Sequence, residues 1–414
     1  MAIGYACQTL AVLDTDLKHC LARHADELTL AKICSYNLNH LDNVLDYAIE
    51  NEIKLFRISS DIIPFGSSSI NALLWWKQFE TTLQELGSKI QKAGMRVSMH
   101  PGQYTILNSP HKEVVKNSLA DLNYHNRFLD SLSLGAEHKL ILHIGGVYGD
   151  KKAAMQRFIE QYHNLDQKIR SRLVLENDDK SYTIEDVLYI FEKTGAPVVF
   201  DNLHHAINPS VTIKSESNWI ATCAKTWKES DGRQKIHYSQ QAPGKKTGAH
   251  SSTIRIDTFL EFYTHLENKD IDIMLEVKDK NLSALKCINC LSPFPLLLQE
   301  WQRYHHLVLE HGQDAVSRIH TILDSPEDAK PLDFYRELEK ILAGELVKSQ
   351  VLATTTNVFQ VVEKYITPKE KQRFLIAQQR FNENLITLAS LKKTLQTLCE
   401  KYQAKEMLTT YYFL

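Results

Sequence analysis

Eight short apolar runs recur through the first three-quarters of the chain, each parted from the next by a longer segment whose apolar residues repeat at roughly helical spacing. The runs are Ile3 to Cys7, Lys54 to Ser59, Arg96 to Met99, Lys139 to Ile144, Leu173 to Asn177, Pro197 to Asn202, Lys235 to Ser239 and Asp272 to Val277. Between them, helices are predicted over 37–50, 71–93, 113–134 and 151–170, from Thr183, around 217–227 and from Asp257. Short strands buried on both faces and alternating with helices close most readily into a parallel barrel, so the expectation is an α/β chain with a (β/α)8 TIM barrel. Beyond about Ser292 the pattern is helical only. This gives two domains, a barrel over 1–293 and an all-helical domain over 294–414, with SPEDAKP as a break inside the second and Trp301, Tyr304 and Leu307 in its core.

In such barrels chemistry comes from the C-terminal ends of different strands. The third run ends in RVSMHPGQYTILNSP, where Pro101 holds His100 extended and Gly102 permits a sharp turn. The same position after the other runs holds His143, then Glu176, then Asp201 with His204 just beyond; His237 lies in the seventh run and Glu276 ends the eighth. All are metal ligands by type. Imidazoles mixed with carboxylates suit Zn, Mn, Fe or Co better than the oxygen cages of Mg or Ca, and the set could feed two or three ions. A single carboxylate such as Glu176 among imidazoles is what a two-metal site needs as a bridge, which makes metal-assisted hydrolysis the leading chemistry. His125, His138, His163 and His205 fall on helices, helix exits or beside better candidates and are read as structural.

Other features bound the reading. With 48 Lys and Arg against 50 Asp and Glu, the chain carries no global charge for coating a nucleic acid, so phosphate contacts would need a local patch. Seven scattered cysteines match no disulfide framework and point to a reducing, cytoplasmic setting; Cys287 and Cys290 form a C-x-x-C with no second pair to complete a zinc site. No stretch is long and apolar enough to span a bilayer, so no membrane partner is expected. GGVYGDK at 145–151 follows a strand but lacks P-loop spacing.

HPGQYTILNS, together with FRISSDIIPFGS, LEND, DNLHH and LEVKDK, resembles the UV damage endonuclease family of DNA repair enzymes over roughly 1–280. The resemblance implies a barrel similar to endonuclease IV that cuts damaged double-stranded DNA immediately 5′ of a photoproduct with manganese or a similar divalent metal. It implies metal ligands at His100, His143, Glu176, Asp201, His204, His237, His250 and Glu276, with Lys235 placed beside the metals. Glu176, Lys235 and Tyr5 are then the catalytic candidates.

Gln103 and Tyr104, an amide and a ring on the loop after His100, could fill the gap left when damaged bases leave the stack. Tyr5 could stack on a base or touch the scissile phosphate, Asn108 is grouped with this lesion-facing set, and Arg57, Lys235, Lys278, Lys280 and the Lys245-Lys246 pair could meet phosphates. The chain departs from the family pattern at Ser68, where a histidine is expected, and near Ser252, where an acid is expected. The helical tail, which resembles a separate bacterial domain of unclear function, is a third departure and could bind a protein or nucleic acid. Two rivals stand beside the nuclease: a metal-dependent sugar isomerase or epimerase on the same barrel, and a lesion-binding module without catalysis.

Overall fold

The structure, a computed structural model, describes residues 1–324 and 330–414. Eight parallel strands pair in chain order and close into a barrel: β1 (Ala2–Ala6), β2 (Leu55–Ile58), β3 (Arg96–Met99), β4 (Lys139–His143), β5 (Leu173–Glu176), β6 (Val198–Asp201), β7 (Lys235–Tyr238) and β8 (Asp272–Leu275), with β8 returning to β1. The connecting helices are α1 (Glu27–Glu50), α2 (Trp75–Gln78), α3 (Glu80–Lys92), α4 (Lys112–Ser131), α5 (Lys151–His163), α6 (Gln167–Arg172), α7 (Ile184–Thr194), α8 (Asn202–Ile207), α9 (Glu216–Ala224), α10 (Ile256–His265) and α11 (Asn281–Leu291).

Three helices differ from the sequence expectation, each for a local reason. The first begins ten residues before Asn37, because the Asp26 carboxylate caps the Thr29 amide and satisfies an orphan N–H at a polar helix start. The segment 71–93 is not one helix: the Asn71 side chain accepts from the Leu73 amide and holds a turn, and helix resumes only at Trp75. Helix 151–170 is interrupted near Asn164, where Asp166 caps a new helix on the Lys168 amide.

Because strand side chains alternate, one residue in two points into the barrel. Ala2, Ala6, Leu55 and Met274 form one buried apolar cluster, and Ile141, Val174 and Val199 form another. Extending that parity places Arg96, Lys139, Lys235 and Asp272 at the lower end of the interior and Arg57, His100, His143, Glu176, Asp201, His237 and Glu276 at the upper end. The lower end is a closed polar floor. Arg96 donates to Asp272 (2.9 Å) and to the carbonyls of Glu137 and Asp231, while Lys139 donates to Asp231 at 2.6 Å.

By compactness the chain divides into two units, one of 1–9, 14–254 and 258–285, the other of 10–13, 255–257 and 286–414. The second is built on α12 (Leu297–Leu309), α13 (Gln313–Leu323), α14 (Pro331–Leu342), α15 (Lys348–Glu363), α16 (Pro368–Asn382), α17 (Leu388–Lys401) and α18 (Lys405–Leu408). Val358, Phe359, Phe374, Leu391 and Leu395 are central to its terminal core. Trp301 and Tyr304 are buried as expected, whereas the SPEDAKP break lies mostly outside the described residues; its final Pro331 opens α14. Among the described residues, no helix is long and apolar enough to cross a membrane.

Candidate metal centre

Glu176, at the last position of β5 and 1% exposed, is the hub of the barrel mouth. Its Oε2 lies 3.1 Å from His100 Nε2 and 3.6 Å from His143 Nε2; its Oε1 lies 2.7 Å from His237 Nδ1 and 3.6 Å from His204 Nδ1. Two donor sets therefore share this carboxylate. His100, His143 and Glu176 present ligand atoms within 4.8 Å of one another, and so do Glu176, Asp201, His237 and Glu276. His204 adjoins the second set, 3.7 Å from Asp201, and His250 stands 4.0 Å from Glu276. The eight residues assigned as ligands are thus brought to one mouth.

Neighbouring groups orient the ligands. His100 Nδ1 donates to the Pro101 carbonyl (3.0 Å), which leaves Nε2 aimed at Glu176 with a free lone pair; His204 Nδ1 donates likewise to the Asn177 carbonyl (3.0 Å). Asn177 exchanges two hydrogen bonds with the Asp201 backbone, and Asn202 does the same with Ser239, so β5, β6 and β7 are clamped at the height of the ligands. These asparagines follow the acids in LEND and DNLHH, and sequence reading passed over them.

The mouth gathers acceptors around one guanidinium. Glu176 and Asp201 are buried and Glu276 half-buried, and Arg57 donates to Glu276 Oε1 (2.7 Å) and to His237 Nε2 (2.8 Å). Burial raises Asp201 to about 8, and its Oδ2 has no hydrogen-bond partner. For His204 burial opposes a charge, but Asp201, Glu176 and Glu276 outweigh it and push it up to about 9. Burial and the Arg57 charge drop His237 to about 4. Burial alone would raise Glu176, yet the surrounding imidazoles hold it well below the usual range. An orphaned buried carboxylate oxygen on Asp201, and the free Nε2 of His100 aimed at Glu176, are donors that a divalent ion could complete.

Several assigned residues lie elsewhere than expected. Tyr5 is fully buried on the face of β1 opposite Ala2 and Ala6, its hydroxyl 2.8 Å from Thr9 and its ring edge-on to Phe56. Strand parity turns it toward the helices, so in this arrangement it reaches neither base nor phosphate. Asn108 is also buried: its amide donates to Gly146 (2.8 Å) and Tyr182 (3.0 Å) and braces two loops. Its oxygen lies 2.6 Å from where a side chain at Gly145 would begin, and Gly145 has φ of 112°, which explains the glycine there. Arg57 is spent on Glu276 and His237 and does not face outward. Lys235 is fully buried two residues below His237 with no hydrogen-bond partner; burial, then Arg96, push it well below the normal lysine range. By contrast Gln103 and Tyr104 are exposed, Tyr104 at 65%, as are Lys278, Lys245 and Lys246. Ser68 spends its hydroxyl on the Ile70 amide, and neither it nor Ser252 joins the donor sets.

Fold and site together define a (β/α)8 barrel with a cluster of His, Asp and Glu side chains at the C-terminal mouth that could hold metal ions. Residues 3–300 match the family described as UV-endonuclease UvdE, and residues 306–414 match a protein family of unknown function, DUF1722. The chain belongs to the UV-endonuclease UvdE family. A UV DNA damage endonuclease from Clostridium perfringens is 37% identical over 407 residues, covering 96% of this chain and 97% of its own. Another from Bacillus cereus is 30% identical over 304 residues, covering 70% and 95%. The crystal structure of SacUVDE superposes with a TM-score of 0.67 at 39% identity, covering 70% of this chain and 98% of that one.

Proposed function

We propose that this chain is a metal-dependent DNA repair endonuclease that hydrolyses the phosphodiester backbone immediately 5′ of UV photoproducts and other distorting lesions in double-stranded DNA. The observation that carries the reading is Glu176, flanked by imidazoles on both oxygens in a barrel of this family. His100 and His143 with Glu176 would hold one divalent ion, and Asp201, His237 and Glu276 with the far side of Glu176 a second; His204 and His250 extend the set toward a third. When bound, such ions, manganese in this reading with zinc or cobalt as alternatives, lend positive charge to the phosphoryl oxygens and make water acidic enough to act as nucleophile at neutral pH.

The protein groups supply position. Glu176 keeps the two donor sets at one separation, and Arg57 fixes the orientations of His237 and Glu276. Lys235 acts from the layer beneath without touching substrate. Gln103 and Tyr104 stand free at the rim, where an amide and a ring can occupy the gap of an unstacked lesion, and lesions that are cheap to unstack are selected without reading sequence. Lys278 meets phosphates from the loop after β8, and the helical unit binds a protein or nucleic-acid partner. A cytoplasmic location belongs to the same reading.

The test is an end-labelled duplex with one cyclobutane pyrimidine dimer, incubated with manganese-loaded protein. A single cut immediately 5′ of the dimer is expected, absent from the undamaged duplex and reduced by about a thousandfold or more in Glu176→Ala. Absence of cutting by folded, metal-loaded protein overturns the reading.

A further inference from the structure

Helix α4 carries a polar stripe where an apolar one is expected. Ser118, Asp121 and His125 are spaced three and four apart, share one face, and are 1%, 3% and 0% exposed. Each reaches a loop of the barrel mouth. Asp121 Oδ2 accepts from the Thr105 hydroxyl at 2.6 Å, and Ser118 Oγ accepts from the Ile106 amide at 2.7 Å. His125 Nδ1 donates to the Asp121 carbonyl (2.7 Å), and its Nε2 lies 2.8 Å from Ser60 Oγ. Ser60 Oγ is in turn 2.9 Å from the carbonyl of His100, and the Ser60 carbonyl accepts from Tyr124 at 2.8 Å.

The loop from His100 to Ile106 is therefore held at both ends by one helix. Its start, the His100 carbonyl, is tied through Ser60 and His125; its end, Thr105 and Ile106, through Asp121 and Ser118. Between those anchors stand the exposed Gln103 and Tyr104. A buried, fully connected polar network has few alternative arrangements, so displacing one anchor disturbs the other.

We infer that Ser60, Thr105, Asp121 and His125 are positioning residues that make the lesion-probing loop and the ligand His100 move as one body. The inference rests on the proposed function and adds to it that the chain reads and cuts through one mechanical part. Thr105, which touches no ligand, thereby governs metal binding, and Ser60 governs discrimination between damaged and undamaged duplex.

The experiment is a double-mutant cycle on the full chain with Ser60→Ala, Thr105→Val and the pair. Three quantities are measured: manganese affinity from the metal-dependent rise in melting temperature without DNA, the ratio of dissociation constants for dimer-containing and undamaged duplexes, and the single-turnover cutting rate. Each single substitution is expected to cost about tenfold in cutting, and the pair about the same tenfold where independent effects would multiply to about a hundredfold. Thr105→Val should also weaken manganese binding several-fold, and Thr105→Ser should restore it. Multiplicative losses, or an unchanged manganese affinity in Thr105→Val, overturn the inference. If Thr105→Val does not fold, His125→Gln replaces it in the cycle. A wild-type protein that fails to cut sinks the proposed function, while the manganese titration still decides the coupling.

Discussion

The two ends of the barrel interior are both ionic, yet they solve opposite problems. At the floor every charge except Lys235 has fitted partners: Asp272 accepts from Ala2, Arg96 and Arg233, and Lys139 lies on Asp231. At the mouth Arg57 pairs with Glu276 alone among the carboxylates, and Asp201 keeps an unpartnered oxygen. A paired floor stabilises the barrel by itself. The mouth keeps a buried polar atom unsatisfied, an energetic cost in the isolated chain that a bound ion would turn into binding free energy.

Removing a floor carboxylate should have the largest effect on stability. Asp272→Ala leaves the buried Arg96 with carbonyl partners but no carboxylate, while Arg233 keeps Asp270, and chemical denaturation should show a loss of about 3–5 kcal/mol with the activity per folded molecule retained. Asp201→Asn should behave in the contrary way. Without metal its melting temperature should stay close to that of the native protein, since burial already holds Asp201 largely protonated at neutral pH and an amide of the same shape replaces a neutral carboxyl. The stabilisation of about 2.7 kcal/mol expected from manganese at a hundred times its dissociation constant should largely vanish. Equal destabilisation by the two substitutions would erase the contrast between floor and mouth.

The smallest effect sharpens the floor alone. Burial lowers His138, beside Lys139, to about 4, and its Nδ1 accepts from the Val97 amide at 3.1 Å. The folded state thus binds this proton less readily than the unfolded chain. Its contribution is present above about pH 6.5 and lost as the pH falls toward 4, a change on the order of 1–3 kcal/mol. Melting curves across that window should be flatter in His138→Gln, and equal slopes would remove His138 from the account.

The barrel was legible in the sequence because eight apolar runs alternate with helical periods, and the gathering of His, Asp and Glu at one mouth because a metal-binding type of side chain closes so many of those runs. What was misread follows from parity and distance. Tyr5 was assigned to the mouth from its place near a strand end, although Ala2 and Ala6 already occupy the inward face of β1. Arg57 was assigned to phosphates, although it shares the inward parity of Leu55 and so had to meet the cluster. His125, read as structural, is fully buried and hydrogen-bonded, but its partner was hidden: Ser60 lies 65 positions earlier on another loop, and only the fold brings them together. The early start of α1 depended on one capping carboxylate in a polar stretch.

Four strands carry an ionic or candidate-ligand residue at both extremities of the interior: Arg96 and His100 bracket β3, Lys139 and His143 bracket β4, Lys235 and His237 lie on β7, and Asp272 and Glu276 bracket β8. A slip by one residue would turn both members of such a pair outward, into the apolar layer beneath the helices, where neither finds a counterpart. Mispaired strands are thus rejected twice, once at each extremity.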